Sequence, residues 1–415
     1  MTKNATLPDA TPDWHLVRAN TGGRTAAPRT IKDWPEAPPW RRFGAERDRG
    51  DPLARVREIG EHYLIDDRIA EVVNAAIHLR RPVLITGAPG TGKSSLAYAV
   101  AWQLKLGEVL HWPVNSRATV ADALYRYDAV SHLAAAQLAR FAAKPLPPLE
   151  RFIRLGDLGL AFCPRQADER DADGNPIRGP RVLLIDEIDK GDIDLPNDLL
   201  DLLERGEFRI HELIRYPTDA PTDALGDSAG AGGAPPQAAV DQEAPFAVLG
   251  PSGDRRFHIG HTVRCDAFPL VFLTSNGERD FPPAFLRRCL RLDLRPRQDP
   301  EDLAEVVEAR LVGAEGTGDL GQWLKRLATG GGASPVASER YEALPPEIKD
   351  LIKRFLARAD NRTLATDQLL NAVFLVAGPL GGTTKGYDDL INTLFANLGV
   401  GFKPGLDDDA EVDGP

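Results

Sequence analysis

Short apolar runs alternate along the chain with stretches whose apolar residues recur at helical spacing. The runs have the length of buried strands and are bounded by glycine, proline or polar residues. They are residues 82–86, 108–114, 181–185, 269–274 and 290–294. Before the first run, apolar residues at three- and four-residue steps predict a helix over residues 66–80. The alternation predicts an α/β fold, an αβα sandwich around a parallel five-stranded sheet.

Further helices are predicted between the strands and after them. Gly107 is placed to end the helix that follows the first strand. The segment 118–141, which includes Tyr125 and Tyr127, is expected to be largely helical. The predicted helices are residues 94–106, 118–141, 196–205 and 299–313, followed by more than one helix within residues 345–397. Those beyond the last strand predict a helical C-terminal lid.

Composition divides the chain into segments of different character. Residues 1–50 are a proline-rich N-terminal arm with several aromatic side chains, and residues 51–296 hold the predicted sandwich. An Ala/Gly/Pro-rich tract at about 217–250 interrupts the sandwich and is expected to be disordered, because it offers little apolar surface to bury. Residues 297–400 form the expected lid, and residues 401–415 form an acidic, disordered tail.

The overall composition narrows the class of protein. Of 415 residues, 42% are hydrophobic and 27% charged, which is ordinary for a soluble globular protein. The sequence has no apolar run of transmembrane length and no signal peptide, so we expect a cytoplasmic protein without a membrane partner. The net charge of −11 makes nucleic acid an unlikely general partner. Cys163, Cys265 and Cys289 are expected to be free thiols.

The segment between the first strand and its helix fits the phosphate-binding loop (P-loop) pattern G-x-x-x-x-G-K-[ST] at every fixed position. A glycine-rich turn in this context directs backbone N–H groups toward the phosphates of a nucleotide. Lys93 can then reach the outer phosphates, and Ser94 can hold Mg²⁺. The expected nucleotide-binding residues here are Gly87, Ala88, Pro89, Gly90, Thr91, Gly92, Lys93, Ser94 and Ser95.

A second motif indicates what happens to the nucleotide. The apolar run 181–185 ends in two adjacent carboxylates, Asp186 and Glu187. Asp186 can orient Mg²⁺ through its water shell, and Glu187 can polarise an attacking water. This pairing suits hydrolysis better than phosphoryl transfer to a second substrate. Asp189, two residues further on, is expected to be a solvated or helix-capping acid.

These motifs, with the strand at 269–274 and the residues after it, resemble the AAA+ ATPases and within them the MoxR-like branch. The resemblance covers about residues 51–400. In that family a polar residue after the third motif strand senses the γ-phosphate and helps to place the water, and Asn276 matches it. The family also carries an arginine that reaches the neighbouring subunit's nucleotide. Arg288 aligns best with this arginine finger, and Arg287 is the alternative.

The resemblance implies further site residues and an assembly. Arg362 occupies the place of a second sensor arginine in the lid. Tyr63, Leu64 and Ile65 lie where relatives contact the adenine. The resemblance also implies ATP and Mg²⁺ as cofactors, a hairpin formed by residues 207–213 and 257–263, and a homo-oligomer that is a hexameric ring.

Three function classes follow from this resemblance. The first is a ring-forming remodeller or chaperone that acts on a partner protein, which is the role usually assigned to MoxR-like relatives. The second is a nucleic-acid-directed motor, which the acidic composition disfavours and a salt-dependent DNA-binding assay would separate. The third is a nucleotide-gated scaffold in a signalling or anti-phage system, for which slow turnover unaffected by any partner would be typical.

Overall fold

The computed structural model describes most of the chain from Leu53 to Phe395. The described residues are 53–171, 173–215, 246–253, 255–311, 325, 340–359, 364–378, 380 and 384–395. The predicted N-terminal arm, the acidic tail and Arg362 lie outside them. The described residues up to Arg295 form one compact unit, and those from Pro296 onward form another.

The first unit alternates strands and helices. Its helices are α1 (Ala54–Gly60), α2 (Asp67–Leu79), α3 (Lys93–Gln103), α4 (Val120–Leu124), α5 (Ala129–Phe141), α6 (Asp157–Ala161), α7 (Leu195–Arg205), α8 (His211–Arg215) and α9 (Pro283–Leu286). Its strands are β1 (Val83–Thr86), β2 (Val109–Pro113), β3 (Tyr125–Tyr127), β4 (Ile153–Leu155), β5 (Val182–Asp186), β6 (Glu207–Arg209), β7 (Phe246–Leu249), β8 (Arg256–Ile259), β9 (Thr262–Arg264), β10 (Leu270–Ser275) and β11 (Leu290–Asp293).

The centre of this unit is a five-stranded sheet with the order β11-β1-β10-β5-β2. Every neighbouring pair in it is parallel. The order places β1, β10 and β5 side by side, so the residues that follow these strands emerge at one edge of the sheet. The predicted α/β fold with a parallel five-stranded sheet is confirmed.

Alternate side chains of the central strands are buried in two apolar layers, one on each face of the sheet. Leu183 of β5 belongs to the layer that also holds helices α6 and α7. Val182 and Leu184 belong to the other layer, which contains apolar residues of α2 and α3. Because side chains point alternately to the two faces of a strand, a sheet with both faces covered reads as a continuous apolar run. The layers make the αβα sandwich.

Two smaller sheets correct the expected helices and hairpin. The order β3-β4-β7-β8 forms one sheet, and β6 pairs with β9 in the other. Residues 125–127 are therefore a strand that interrupts the predicted helix 118–141, because they pair with β4. The predicted hairpin of residues 207–213 and 257–263 was wrong in extent, since only β6 and β9 pair and each segment contains a second element.

The Ala/Gly/Pro-rich tract is also shorter than expected. Phe246–Leu249 forms strand β7, which pairs antiparallel with β8 and buries Val248. The prediction of disorder through residue 250 was wrong for these last residues. Residues 216–245 lie outside the described part of the chain.

The second unit is helical in its described part. Its helices are α10 (Pro300–Leu311), α11 (Arg340–Ala343), α12 (Pro346–Ala359), α13 (Thr366–Ala377) and α14 (Asp388–Leu394). They share an apolar core that includes Leu303, Ile352, Val373 and Ile391. A helical C-terminal part is thus present, as predicted. Across the described residues of both units, every helix is too short or too polar to cross a lipid bilayer.

Candidate nucleotide-binding site

The predicted motifs meet at the carboxyl edge of the central sheet. Thr86, the last residue of β1, is the register partner of Ser275 in β10. Leu273 of β10 is the register partner of Ile185 in β5. The P-loop after β1, the carboxylates at the end of β5 and Asn276 after β10 therefore come from three adjacent strands.

The P-loop backbone requires glycine at specific positions. Gly87, Gly90 and Gly92 have φ values of 148°, 75° and 85°, which residues with a Cβ rarely adopt. A Cβ on Gly87 would lie 2.3 Å from the backbone oxygen of Leu294. The loop turns from β1 into the first residue of α3, Lys93, so that the N-terminus of α3 faces the loop. Helix N-termini in this arrangement bind phosphate through backbone N–H groups.

Lys93 lies inside the loop and is 7% exposed. Its ammonium donates hydrogen bonds to the backbone oxygens of Gly87 and Ala88, both at 2.9 Å. Burial lowers the pKa of Lys93, and the nearby carboxylates of Asp186, Asp189 and Glu187 oppose this shift. The carbonyl oxygens of the loop thus bind the Lys93 ammonium, which in the P-loop pattern binds phosphate oxygens of the nucleotide.

Ser94 and Asp186 form the pair that the sequence assigns to Mg²⁺. The Ser94 hydroxyl donates to Asp186 Oδ1 at 2.6 Å. Burial raises the pKa of Asp186, but hydrogen bonds from His111, Ser94 and Thr274 outweigh it and lower the pKa to about 2. Because the Ser94 proton is directed at the carboxylate, the lone pairs of its oxygen remain available to a cation.

A hydroxyl and an ionised carboxylate fit Mg²⁺, which takes oxygen ligands and is usually held by one or two carboxylates with phosphates and waters. No cluster of three or more His, Cys, Asp or Glu side chains suited to a metal occurs among the described residues. The donor set therefore suits a metal that arrives with phosphate oxygens.

Glu187 leaves the strand in an unusual conformation. Its φ of 58° and ψ of 48° are left-handed, which is uncommon for a residue other than glycine. Its carboxylate accepts a hydrogen bond from Lys190 Nζ at 2.8 Å and lies 3.5 Å from Asn276 Nδ2. The hydrogen bond to Glu187 raises the pKa of Lys190. The structure thus brings Glu187 and Asn276 together, with the glutamate side chain 42% exposed.

Asp189 is not the solvated or helix-capping acid that the sequence suggested. It is 3% exposed, and its Oδ2 accepts hydrogen bonds from the backbone N–H groups of Asn276 at 2.9 Å and Glu278 at 3.1 Å. A carboxylate at this position ties the loop after β10 to the turn after β5. The sequence could not reveal this role, because the bonded atoms are backbone atoms almost ninety residues away.

Of the residues predicted near the adenine, Tyr63 borders the P-loop. A Cβ on Gly92 would lie 2.9 Å from Cε2 of Tyr63, so the tyrosine ring is packed against the loop. Tyr63 and Ile65 are both partly buried against the apolar layer that contains α2 and α3. Ser95 follows Ser94 in the first turn of α3.

The predicted arginine finger has partners elsewhere on the domain. The Arg288 guanidinium forms an ion pair with Glu204 of α7 and donates to the backbone oxygen of Ala284 at 3.2 Å. The hydrogen bond from Arg288 lowers the pKa of Glu204. The backbone oxygen of Arg287 accepts a hydrogen bond from Arg81 at 3.1 Å. These contacts within one chain leave the choice between the two arginines untested.

Three residues contact the predicted site although the sequence pattern did not indicate them. Thr274 donates to Asp186 Oδ1 at 2.5 Å, and its oxygen accepts from the Glu187 backbone N–H at 2.8 Å. His111 of β2 lies 3.3 Å from Asp186 Oδ2. Lys190 pairs with Glu187 as described above. Thr274 had a readable signal, because it is the first polar residue after four apolar ones in its strand.

The comparison with protein families agrees with this geometry. Residues 82–288 match the AAA domain of the dynein-related subfamily. The matched segment includes the P-loop, both carboxylates at the end of β5, and Asn276. The chain therefore contains an AAA domain of the dynein-related subfamily. No curated protein matches the chain.

Solved structures resemble the chain at low sequence identity. A protein from Cytophaga hutchinsonii, described as a candidate ATPase, shares 11% identity with a TM-score of 0.31, and the alignment covers 78% of this chain and 93% of that one. PCH-2 from C. elegans shares 14% identity with a TM-score of 0.32, covering 78% and 71%. NtrX from Brucella abortus, solved in complex with ADP, shares 13% identity with a TM-score of 0.28, covering 82% and 69%.

Proposed function

We propose that the protein is a MoxR-like AAA+ ATPase that hydrolyses ATP in the presence of Mg²⁺, assembles into a ring and remodels or chaperones a partner protein. The observation that carries the ATPase proposal is the convergence on one sheet edge of Lys93, the Ser94–Asp186 pair, and Glu187 beside Asn276. The partner-directed role rests on the resemblance to MoxR-like proteins, and the partner itself is unidentified.

Each side chain has a task in the proposed reaction. Lys93 exchanges its loop carbonyls for phosphate oxygens and neutralises their charge, while Ser94 and Asp186 hold Mg²⁺. Bound Mg²⁺ supplies positive charge next to the phosphate oxygens. A water oxygen forms a bond to the γ-phosphorus, the bond to the bridging oxygen of ADP breaks, and Glu187 accepts the water proton. Asn276, 3.5 Å from the Glu187 carboxylate, orients the water.

The remaining residues belong to the same proposal. Gly87 to Ser95 cradle the phosphates through their backbone N–H groups, and Tyr63 and Ile65 contact the adenine. The resemblance assigns nucleotide binding to Arg362 as well. Positioning and charge stabilisation carry phosphoryl chemistry of this kind, and the protein forms no covalent bond to the substrate.

The first experiment compares phosphate release by the wild type, Glu187→Gln and Glu71→Gln. Glu71, on α2 and exposed, is a matched control for loss of a carboxylate charge. We expect Glu187→Gln to bind ATP normally but to lose hydrolysis, because an amide cannot accept the water proton. Glu71→Gln should retain wild-type turnover. Wild-type turnover in Glu187→Gln would mean that Glu187 is not the general base.

The proposed hexameric ring requires a subunit boundary at each site, because Arg288 acts on the neighbour's nucleotide. Arg288→Ala should bind ATP but lose turnover, since trans arginines contribute on the order of 10³-fold or more in other NTPases. Mixing Arg288→Ala with Glu187→Gln protein should restore part of the activity, because a mixed boundary rebuilds one complete site. No recovery, together with a monomeric mass in ATP, would contradict the ring.

The partner is best sought with the hydrolysis-deficient protein. At an ATP concentration near the wild-type Kd, Glu187→Gln protein should retain a protein partner that the Lys93→Ala variant does not retain, because only the former is then largely ATP-bound. Retention of nucleic acid instead of protein would favour the nucleic-acid-directed motor. Slow turnover that no captured partner alters would favour the nucleotide-gated scaffold.

A further inference from the structure

We propose that Thr274 is a positioning residue whose single hydroxyl fixes the metal-binding and the proton-accepting carboxylates in one arrangement. This inference rests on the proposed ATPase function. Thr274 precedes the last residue of β10 and is 1% exposed. Because Leu273 is the register partner of Ile185, Thr274 lies beside the point where β5 ends at Asp186.

The two hydrogen bonds of Thr274 have a fixed direction. A hydroxyl carries one hydrogen and two acceptor lone pairs. The Asp186 carboxylate has no proton to donate, and its Oδ1 accepts the Thr274 hydroxyl proton at 2.5 Å. The Glu187 backbone N–H can only donate, and it bonds to the Thr274 oxygen at 2.8 Å. The hydroxyl therefore cannot rotate without losing one of the two bonds.

The bond to Glu187 holds a conformation that glutamate does not favour by itself. With φ of 58° and ψ of 48°, Glu187 turns the chain out of β5 into the short 3₁₀ helix Ile188–Lys190. Because of this turn, the Glu187 N–H cannot take part in the regular hydrogen bonding of the sheet. The Thr274 oxygen accepts a hydrogen bond from it instead. It thereby fixes the direction in which the Glu187 side chain leaves the backbone, toward Asn276 Nδ2 at 3.5 Å.

The bond to Asp186 complements that of Ser94. Both hydroxyls donate to the same oxygen, Asp186 Oδ1. Ser94 is the residue proposed to take part in Mg²⁺ binding, whereas Thr274 is buried inside the sheet and remote from solvent. Thr274 can keep Asp186 oriented when Ser94 adjusts to a bound metal. One side chain thus couples the orientation of the metal-binding acid to that of the base.

Two substitutions separate the hydroxyl from the rest of the side chain. Thr274→Val keeps the shape but removes the hydroxyl, and Thr274→Ser keeps the hydroxyl but removes the methyl group. Thr262→Val, in β9 of the separate two-stranded sheet, is the control for the same chemical change. We expect kcat to fall at least roughly tenfold in Thr274→Val, because a general base contributes on the order of 10²–10⁴-fold. Thr274→Ser should stay within about threefold of wild type, as should Thr262→Val.

A positioning role also predicts that the affinity for nucleotide is retained when kcat falls. The affinity of Thr274→Val for ADP without Mg²⁺ should match wild type, because the phosphate cradle and Lys93 are unchanged. A merely structural role would lower affinity and kcat together and would not be rescued by serine. Equal loss of kcat in Thr274→Val and Thr274→Ser, or wild-type kcat in Thr274→Val, would overturn the inference.

A second measurement is independent of ATP hydrolysis. In nucleotide-free protein, the backbone amide of Glu187 should exchange its hydrogen at least roughly tenfold faster in Thr274→Val, and at the wild-type rate in Thr274→Ser, because only the former lacks the acceptor. If the wild type releases no phosphate, the proposed ATPase function fails, while the exchange rate still decides whether Thr274 holds Glu187. Unchanged exchange in Thr274→Val would contradict the inference.

Discussion

Gly87, the first residue of the P-loop, allows a sharp test of how the loop is built. Its φ of 148° is strained for any residue with a Cβ, and an added Cβ would lie 2.3 Å from the Leu294 backbone oxygen. Backbone strain of this kind costs about 1–3 kcal/mol, and overpacking against fixed atoms costs about 1–3 kcal/mol more. We therefore expect Gly87→Ala to lose about 2–6 kcal/mol in total from the free energies of unfolding and of ATP binding.

Two measurements are needed to record this loss. Strain that remains in the folded protein lowers the free energy of unfolding, which urea unfolding measures. If the loop moves and so relieves the strain, it binds ATP less tightly, and calorimetric titration with ATP and Mg²⁺ measures that loss of affinity. A tenfold loss of affinity corresponds to about 1.4 kcal/mol, so the two losses can be added. Gly174→Ala is the control, because its φ is 81° but an added Cβ would meet nothing within 4 Å. If Gly87→Ala loses no more free energy of unfolding and no more affinity for ATP than Gly174→Ala does, the loop does not require glycine at residue 87.

Three further predictions follow from single features. Lys93→Ala should weaken ATP binding roughly 10- to 100-fold, since a charged hydrogen bond contributes about 1.5–3 kcal/mol; titration showing unchanged affinity would contradict this. Burial raises the pKa of Asp157 from 3.8 to about 6, so its carboxyl lowers stability as pH rises through that range. Asp157→Asn should therefore raise Tm at about pH 7.5 but not at about pH 3.5, and equal gains at both would contradict this. Replacing residues 218–243 by a short Gly/Ser linker should leave Tm unchanged, whereas a deletion through residue 250 should lower it, because Val248 of β7 is buried.

The sequence could predict the P-loop because everything the motif needs is local. The strand, the glycine-rich turn and the helix are consecutive, and each has its own pattern between residues 82 and 103. The same holds for the parallel sheet, since buried strands and intervening helices are both readable along the chain. For these parts, local propensity and the final fold agree.

What the sequence could not predict depends on contacts between distant segments. Asp189 is buried because backbone N–H groups of Asn276 and Glu278 bind it, and no pattern around residue 189 indicates those donors. Thr274 reaches Asp186 only because β10 and β5 are neighbours in a given register. Residues 125–127 became a strand because β4 offered a partner, which overrides the helical tendency of the flanking segments.

Phosphate release in water enriched in ¹⁸O tests the central claim most directly, namely that this site hydrolyses ATP with Glu187 as the base. Purified wild-type protein with ATP and Mg²⁺ should release phosphate that carries oxygen from the solvent, because water is the nucleophile. Glu187→Gln protein that binds ATP should release almost none. Contradiction would come from a wild-type protein that binds ATP but releases no labelled phosphate, or from Glu187→Gln protein that releases it at the wild-type rate.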